Sequence, residues 1–201
     1  MSANQYGGSD RDKACLIPIT TTVLVGAHDE MTPTYFSLLK KAGYLGKPNQ
    51  TFSSEIAVAM MLATEKTEKT LCSIEAVEKI YTGGKRLEEV LELGGVLGDV
   101  DYIMVGTNGV EENDKVYFEN CEKLFPGVPL LQYKKIFGEG YTTPALGVYA
   151  AAICLQRGDV PKHLRCEVSD VRSEKNKVNK ILCYNHFEEK NHTFILLSRE
   201  S

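Results

Sequence analysis

Apolar and polar positions along the chain follow two alternating periods, and the changes between them mark the elements. Residues 20–30, TTTVLVGAHDE, form a β-branched apolar run ending in polar residues, the pattern of a buried strand. Residues 32–46, TPTYFSLLKKAGYLG, switch to a helical period. Thr32 stands at the N-cap, Pro33 at the first helical position, and Gly43 closes the segment. Two further runs, SSEIAVAMMLATEKT and TLCSIEAVEKIYTGG, read as neighbouring antiparallel strands joined by a hairpin at TEKTEKT. In the first, Ile56, Val58, Met60 and Leu62 alternate, and the alanines between them predict a tightly covered second face.

KRLEEVLELGGVLG predicts a helix with Leu87, Val90 and Leu91 on one face. DVDYIMVGTNGVEEND predicts a short strand, a Gly/Asn turn and a helix capped near Asn113 or Asp114, continuing through KVYFENCEKLF. VPLLQYKK is a further strand, and TTPALGVYAAAICLQRG a helix of small residues. KVNKILCYNHF and HTFILLSRE close the chain as a strand pair around EEKN. Strands alternating with helices, followed by a terminal hairpin, imply an α/β layered sheet covered on both faces. Ligands of such sheets sit at the carboxyl ends of strands, which is where GTNGVEEND, KKIFGEGYTT and YNHFEEKN fall.

Composition narrows the class. The 201 residues suit one domain or two small ones, with enough length to bury a core. A net charge of −4 lacks the basic footprint of a nucleic-acid binder, and no apolar run is long enough to span a bilayer. The opening MSANQYGGSDRDKAC has no secretory apolar core and reads as a loose tail, so the expected location is the cytoplasm. Six cysteines and four histidines show no metal spacing, so free thiols are expected, with no metal and no cofactor.

Four segments, in order, carry a resemblance to the C-terminal half of a β-ketoacyl synthase of the thiolase-like superfamily. DYIMVGTNGVEEND is similar to the family's strand ending in His-Gly-Thr-Gly-Thr and then Asn-Asp. KKIFGEGYTTPALGVYAAAICLQRGDVP is similar to its Lys, Gly-His, small-residue helix and Gly-x-Ile/Val-Pro exit. ILCYNHFEEKNHTFILLSR resembles its closing Asn-Ser-Phe-Gly hairpin, and VLVGAHDEMTPTYFSLLKKAGYLG the segment after the nucleophile helix. This last segment looks closest to synthases of aryl-polyene and flexirubin-type pigments. The resemblance spans residues 20–199. It implies a thiolase-like α/β/α fold with a mixed sheet covered by helices. It divides the chain into a tail (1–19), a remnant of the N-terminal half (20–84) and a C-terminal half (85–201). The implied partners are acyl carrier protein or acyl-CoA, together with a second copy or a synthase subunit. The implied activity is acyl transfer in fatty-acid or polyketide-type chain elongation.

The departures carry as much information. The family's two histidines fall on Gly106 and Glu139, and the glycine-rich gate shortens to Phe187-Glu188-Glu189-Lys190-Asn191. The nucleophilic cysteine has no counterpart, because Cys15 lacks a strand-to-helix elbow. Condensation needs a thiolate and neutral donors for the oxyanion or enolate. Gly106 offers a backbone N–H alone, and an ionised Glu139 repels an enolate. Lys134 and Glu139 therefore read either as a structural ion pair or as a replacement acid–base site. Gly106, Thr107, Asn108, Asn185 and Phe187 are the candidate acyl-group contacts, although asparagines in turns need no ligand to explain them. His186 and His192 read as hairpin polar residues. The stripe Ala145, Gly147, Ala150, Ala151 reads as close helix packing. Three roles remain open: a catalytically deficient synthase homologue or chain-length-factor-like partner, one half of a complete synthase, and a ligand-free α/β module.

Overall fold

The computed structural model describes residues 22–83, 85, 87, 99–166 and 177–200. The first apolar run forms strand β1 (Thr22–Asp29), which pairs antiparallel with β2 (Ile56–Ala63) in a two-stranded ribbon. Helix α1 (Pro33–Lys41) lies between them in sequence. Thr32 caps it by accepting the Tyr35 N–H, and Gly43 follows in the left-handed conformation at φ 80°.

A separate five-stranded sheet runs in the order β3 (Ser73–Tyr81), β7 (Asn191–Ser198), β6 (Lys180–Phe187), β4 (Tyr102–Val105), β5 (Leu130–Gln132). Strands β3, β7 and β6 are antiparallel neighbours, while β6, β4 and β5 are parallel. Helix α2 (Glu111–Leu124) covers one face of this sheet, and α4 (Thr143–Arg157) covers the other; α3 (Lys134–Phe137) is a single turn between β5 and α4.

Two expectations are corrected here. The runs around 56–63 and 73–81 are not neighbours, because the TEKTEKT turn passes between two sheets. β3 instead meets β7 over almost its whole length, a non-local match that outweighs adjacency in sequence. The ribbon is also not buried: Leu24 and Met61, paired across it, are each 70% exposed, since no described residue covers that face. The helix expected over KRLEEVLELGGVLG falls almost entirely outside the described residues.

Alternation explains how the central strands are covered on both faces. Tyr102 and Met104 of β4, with Ile181 and Cys183 of β6, pack toward α4. Ile103 and Val105, with Leu182 and Tyr184, pack toward α2. Helix α4 is central, as its composition predicts: Ala151 and Leu155 are fully buried. Gly147 has a specific reason, since a Cβ there would sit 2.8 Å from the Tyr133 ring. Gly158 ends the helix at φ 76°, with its N–H on the Cys154 carbonyl.

Candidate functional site

The carboxyl ends of β4, β5 and β6 bring the three polar turns together. Beyond β4, Asp114 organises the first turn by accepting the N–H groups of Asn108 (2.8 Å) and Gly109 (2.9 Å). The helix itself begins at Glu111 after Val110, so the cap expected at Asn113 or Asp114 is corrected. Asp114 acts from within the first turn, gathering the amides that precede it. Beyond β5, the Lys134 ammonium donates to Glu139 Oε1 at 2.8 Å. The other Glu139 oxygen accepts from Asn108 Nδ2 at 2.7 Å. Both side chains are largely buried, 11% and 16% exposed, so each carboxylate oxygen has a fixed donor.

The linker to the ribbon is stapled to the same turns. The Glu139 N–H donates to the Phe52 carbonyl, the Ser54 N–H to the Glu139 carbonyl, and the Thr51 N–H to the Asn108 carbonyl. Asp29, at the end of β1, accepts the Thr142 N–H ahead of α4. Gly109 is required at this junction: its φ is 84°, and a Cβ would lie 2.1 Å from the Asn49 carbonyl oxygen.

Gly106 is the position to which the family resemblance assigns a histidine. A Cβ there would meet Tyr117 Oη at 2.5 Å, Asn185 Oδ1 at 2.6 Å and Tyr133 Oη at 3.0 Å. The niche is already filled by two tyrosine hydroxyls and an amide. Tyr133 donates to Asn185 Oδ1 at 2.5 Å, and Tyr117 Oη accepts the His186 N–H at 3.3 Å. Burial, aided by nearby Glu139, holds both hydroxyls well above the usual tyrosine range, so both stay protonated.

Beyond β6, the chain turns back through Glu188 and Glu189, both in the left-handed region at φ 51° and 56°. The His186 ring lies 4.3 Å from the Tyr117 ring and donates through Nε2 to the Asn113 carbonyl at 3.1 Å. Its Nδ1 is therefore the unprotonated nitrogen, and it has no partner among the described residues. Burial pushes the imidazole down to about 4, against the opposing pull of the Asn113 carbonyl. His192, 2% exposed, sits between the Tyr184 hydroxyl and the Glu189 carbonyl, a structural hairpin residue as its position predicts. Burial also lowers its pKa.

These turns form the polar end of a cleft of about 720 Å³ between ribbon, sheet and α4. Its apolar walls include Val25, Met60 and Leu62 of the ribbon, Ile74 and Ile195 of the sheet, and Val148 of α4. Of the sequence candidates, Lys134, Asn108, Glu139, Asn185 and Phe187 line it. Thr107 is buried, with its hydroxyl unpartnered among the described residues, and Gly106 lies behind the tyrosines. Ala145 lines the cleft, while Gly147, Ala150 and Ala151 are buried, so the small-residue stripe both packs and shapes the wall. Sequence reasoning missed Tyr117 and Tyr133 and took Asn113 only for a helix cap, because a tyrosine on α2 or just after β5 reads as core until the opposing strand is known. Among the described residues no His/Cys/Asp/Glu group could hold a metal. Burial raises the thiols of Cys72 and Cys154 to about 11 and of Cys121 to about 12, far from nucleophilic thiolates. Cys15 lies outside the described residues.

No protein-family profile and no curated protein matches the chain. Solved structures do. The ishigamide ketosynthase/chain length factor superposes with a TM-score of 0.67 at 14% identity, over 90% of this chain and 54% of that one. A ketosynthase from module 6 of the bacillaene synthase of Bacillus subtilis 168 gives 0.66 at 14%, over 90% and 42%. A ketosynthase in complex with its chain length factor, from Xenorhabdus doucetiae, gives 0.65 at 12%, over 90% and 53%. The fold is that of the thiolase-like ketosynthases. The chain spans about half the length of these ketosynthase structures. Among the described residues no helix is long and apolar enough to cross a membrane.

Proposed function

We propose that this chain is a ketosynthase-like, acyl-binding protein of fatty-acid or polyketide-type chain elongation that does not condense on its own. The observation carrying this reading is the filled niche at Gly106 beside an intact apolar cleft. Two buried hydroxyls and Asn185 occupy the space a histidine ring needs. Glu139 has both oxygens tied to Lys134 and Asn108, which suits a structural ion pair that rigidifies the cleft end rather than a proton-transfer group. Gly106, Thr107, Asn108, Asn185 and Phe187 then frame the head of a bound acyl group supplied by acyl carrier protein or acyl-CoA.

The test is incubation with acyl- and malonyl-carrier protein, following carbon dioxide release and ketoacyl product. No turnover above background is expected. Turnover that is lost in Glu139→Ala would instead make Glu139 a working acid or base.

A second reading has its own observation. Several of the solved structures combine a ketosynthase with a chain length factor, and the ribbon here leaves Leu24 and Met61 uncovered. In that reading residues 20–84 are the remnant of an N-terminal half and the chain is a chain-length-factor-like subunit. Its partner is a synthase subunit or a second copy.

A further inference from the structure

We propose that the floor of the cleft is a recognition site for an uncharged carbonyl, built from the side chains of Tyr117 and Asn185. It rests on the ligand-binding reading above and names the head-group chemistry that the cleft selects.

The Tyr117 hydroxyl accepts the His186 N–H on one lone pair, and its own proton has no acceptor among the described residues. Asn185 spends its carbonyl oxygen on the Tyr133 hydroxyl, which leaves the Nδ2 hydrogens for a ligand. Tyr117 and Asn185 both line the cleft, whereas Tyr133 stands behind Asn185 and fixes which way the amide faces. Tyr117 Oη and Asn185 Oδ1 fill the niche over Gly106, which anchors both side chains behind the cleft floor they line. Donors held in place before the ligand arrives need no reorganisation when they bind it.

Charge decides what kind of head group fits. Lys134 is neutralised by Glu139, and His186 is neutral because burial opposes its protonation. A ligand carboxylate would be buried beside Glu139 without a free counter-charge. A carbonyl asks only for donors, and Tyr117 and Asn185 supply them. The apolar remainder of the ligand then runs along Val25, Met60 and Leu62.

The experiment measures displacement of Nile red from the full-length protein by 2-nonanone, 1-nonene and nonanoate. Wild-type protein is expected to bind 2-nonanone most tightly. Tyr117→Phe should weaken 2-nonanone about tenfold, the worth of one hydrogen bond, and leave 1-nonene unchanged. An infrared spectrum of carbonyl-labelled 2-nonanone on wild-type protein needs no variant, and its carbonyl band should move to lower frequency on binding. An unmoved band, equal losses for ketone and alkene, or tightest binding of nonanoate overturns the carbonyl site while leaving the apolar cleft standing. If neither ketone nor alkene displaces the dye from wild-type protein, the ligand-binding reading of the cleft falls as well.

Discussion

Adding one methyl group at Gly106 probes the filled niche directly. In Gly106→Ala the new Cβ would sit 2.5 Å from Tyr117 Oη, 2.6 Å from Asn185 Oδ1 and 3.0 Å from Tyr133 Oη. None of these atoms is the loose end of a flexible side chain. The tyrosine rings are wedged, Tyr117 against Tyr184 and Tyr133 against the Gly147 surface of α4. Relief therefore requires a backbone shift or expulsion of one hydroxyl, an overpacking cost of about 1–3 kcal/mol. Losing the Tyr133–Asn185 hydrogen bond adds about 1 kcal/mol. Restricting the unfolded chain returns about 0.4–1 kcal/mol, since Gly106 is not among the positive-φ glycines. The net expectation is a loss of about 2–3 kcal/mol. Equilibrium urea denaturation reads it as a lower midpoint at an unchanged slope. Wild-type stability in Gly106→Ala would mean that the niche has room and that a histidine is excluded there by something other than sterics.

Gly147→Ala should cost about 1–3 kcal/mol by its clash with the Tyr133 ring, offset by nearly 1 kcal/mol of helix propensity, and is measured the same way. Lys134→Met leaves Glu139 with Asn108 alone; a partly buried, unpaired carboxylate should lower stability by about 2 kcal/mol in urea. Stability should also fall in acid. The folded pKa of His186 lies below its unfolded value of 6.5, so its contribution is complete above about 6.5 and is lost as pH drops toward about 4. The total is roughly 3 kcal/mol, and His186→Gln should flatten the pH dependence of the urea midpoint in that window. Finally, the uncovered ribbon should drive association through residues 20–82. Burying ~1,000 Å² contributes a gross ~25 kcal/mol before the losses of association. Sedimentation over a dilution series should show a dimer or larger species, and a compact monomer at micromolar concentration would refute it.

The sequence predicts the sheet-and-helix order, the gathering of polar turns at the carboxyl ends of the strands, and the Lys134–Glu139 ion pair. Each depends on local signals: period, caps, and a five-residue spacing across a tight turn. It does not reveal which strands pair. The partner of β3 lies more than a hundred residues away in β7, and the apolar character of β2 fits either sheet. The ribbon looks buried in sequence because β-branched runs usually are; exposure depends on what packs over them, which local composition does not encode. The tyrosine-filled niche is also non-local. Tyr117, Tyr133 and Asn185 come from three elements, and only the close approach at Gly106 reveals that they share one volume.

That shared volume ties position 106 to three others. A histidine at position 106 needs Tyr117, Tyr133 and Asn185 all to give way. Each replacement taken alone opens a void or strands a buried polar atom at a cost of ~1–3 kcal/mol. The substitutions that would prepare the site therefore each lower stability before a histidine ring can be accommodated. Position 106 is thereby locked by three side chains far apart in the sequence, so redesign there calls for concerted substitution rather than one change at a time.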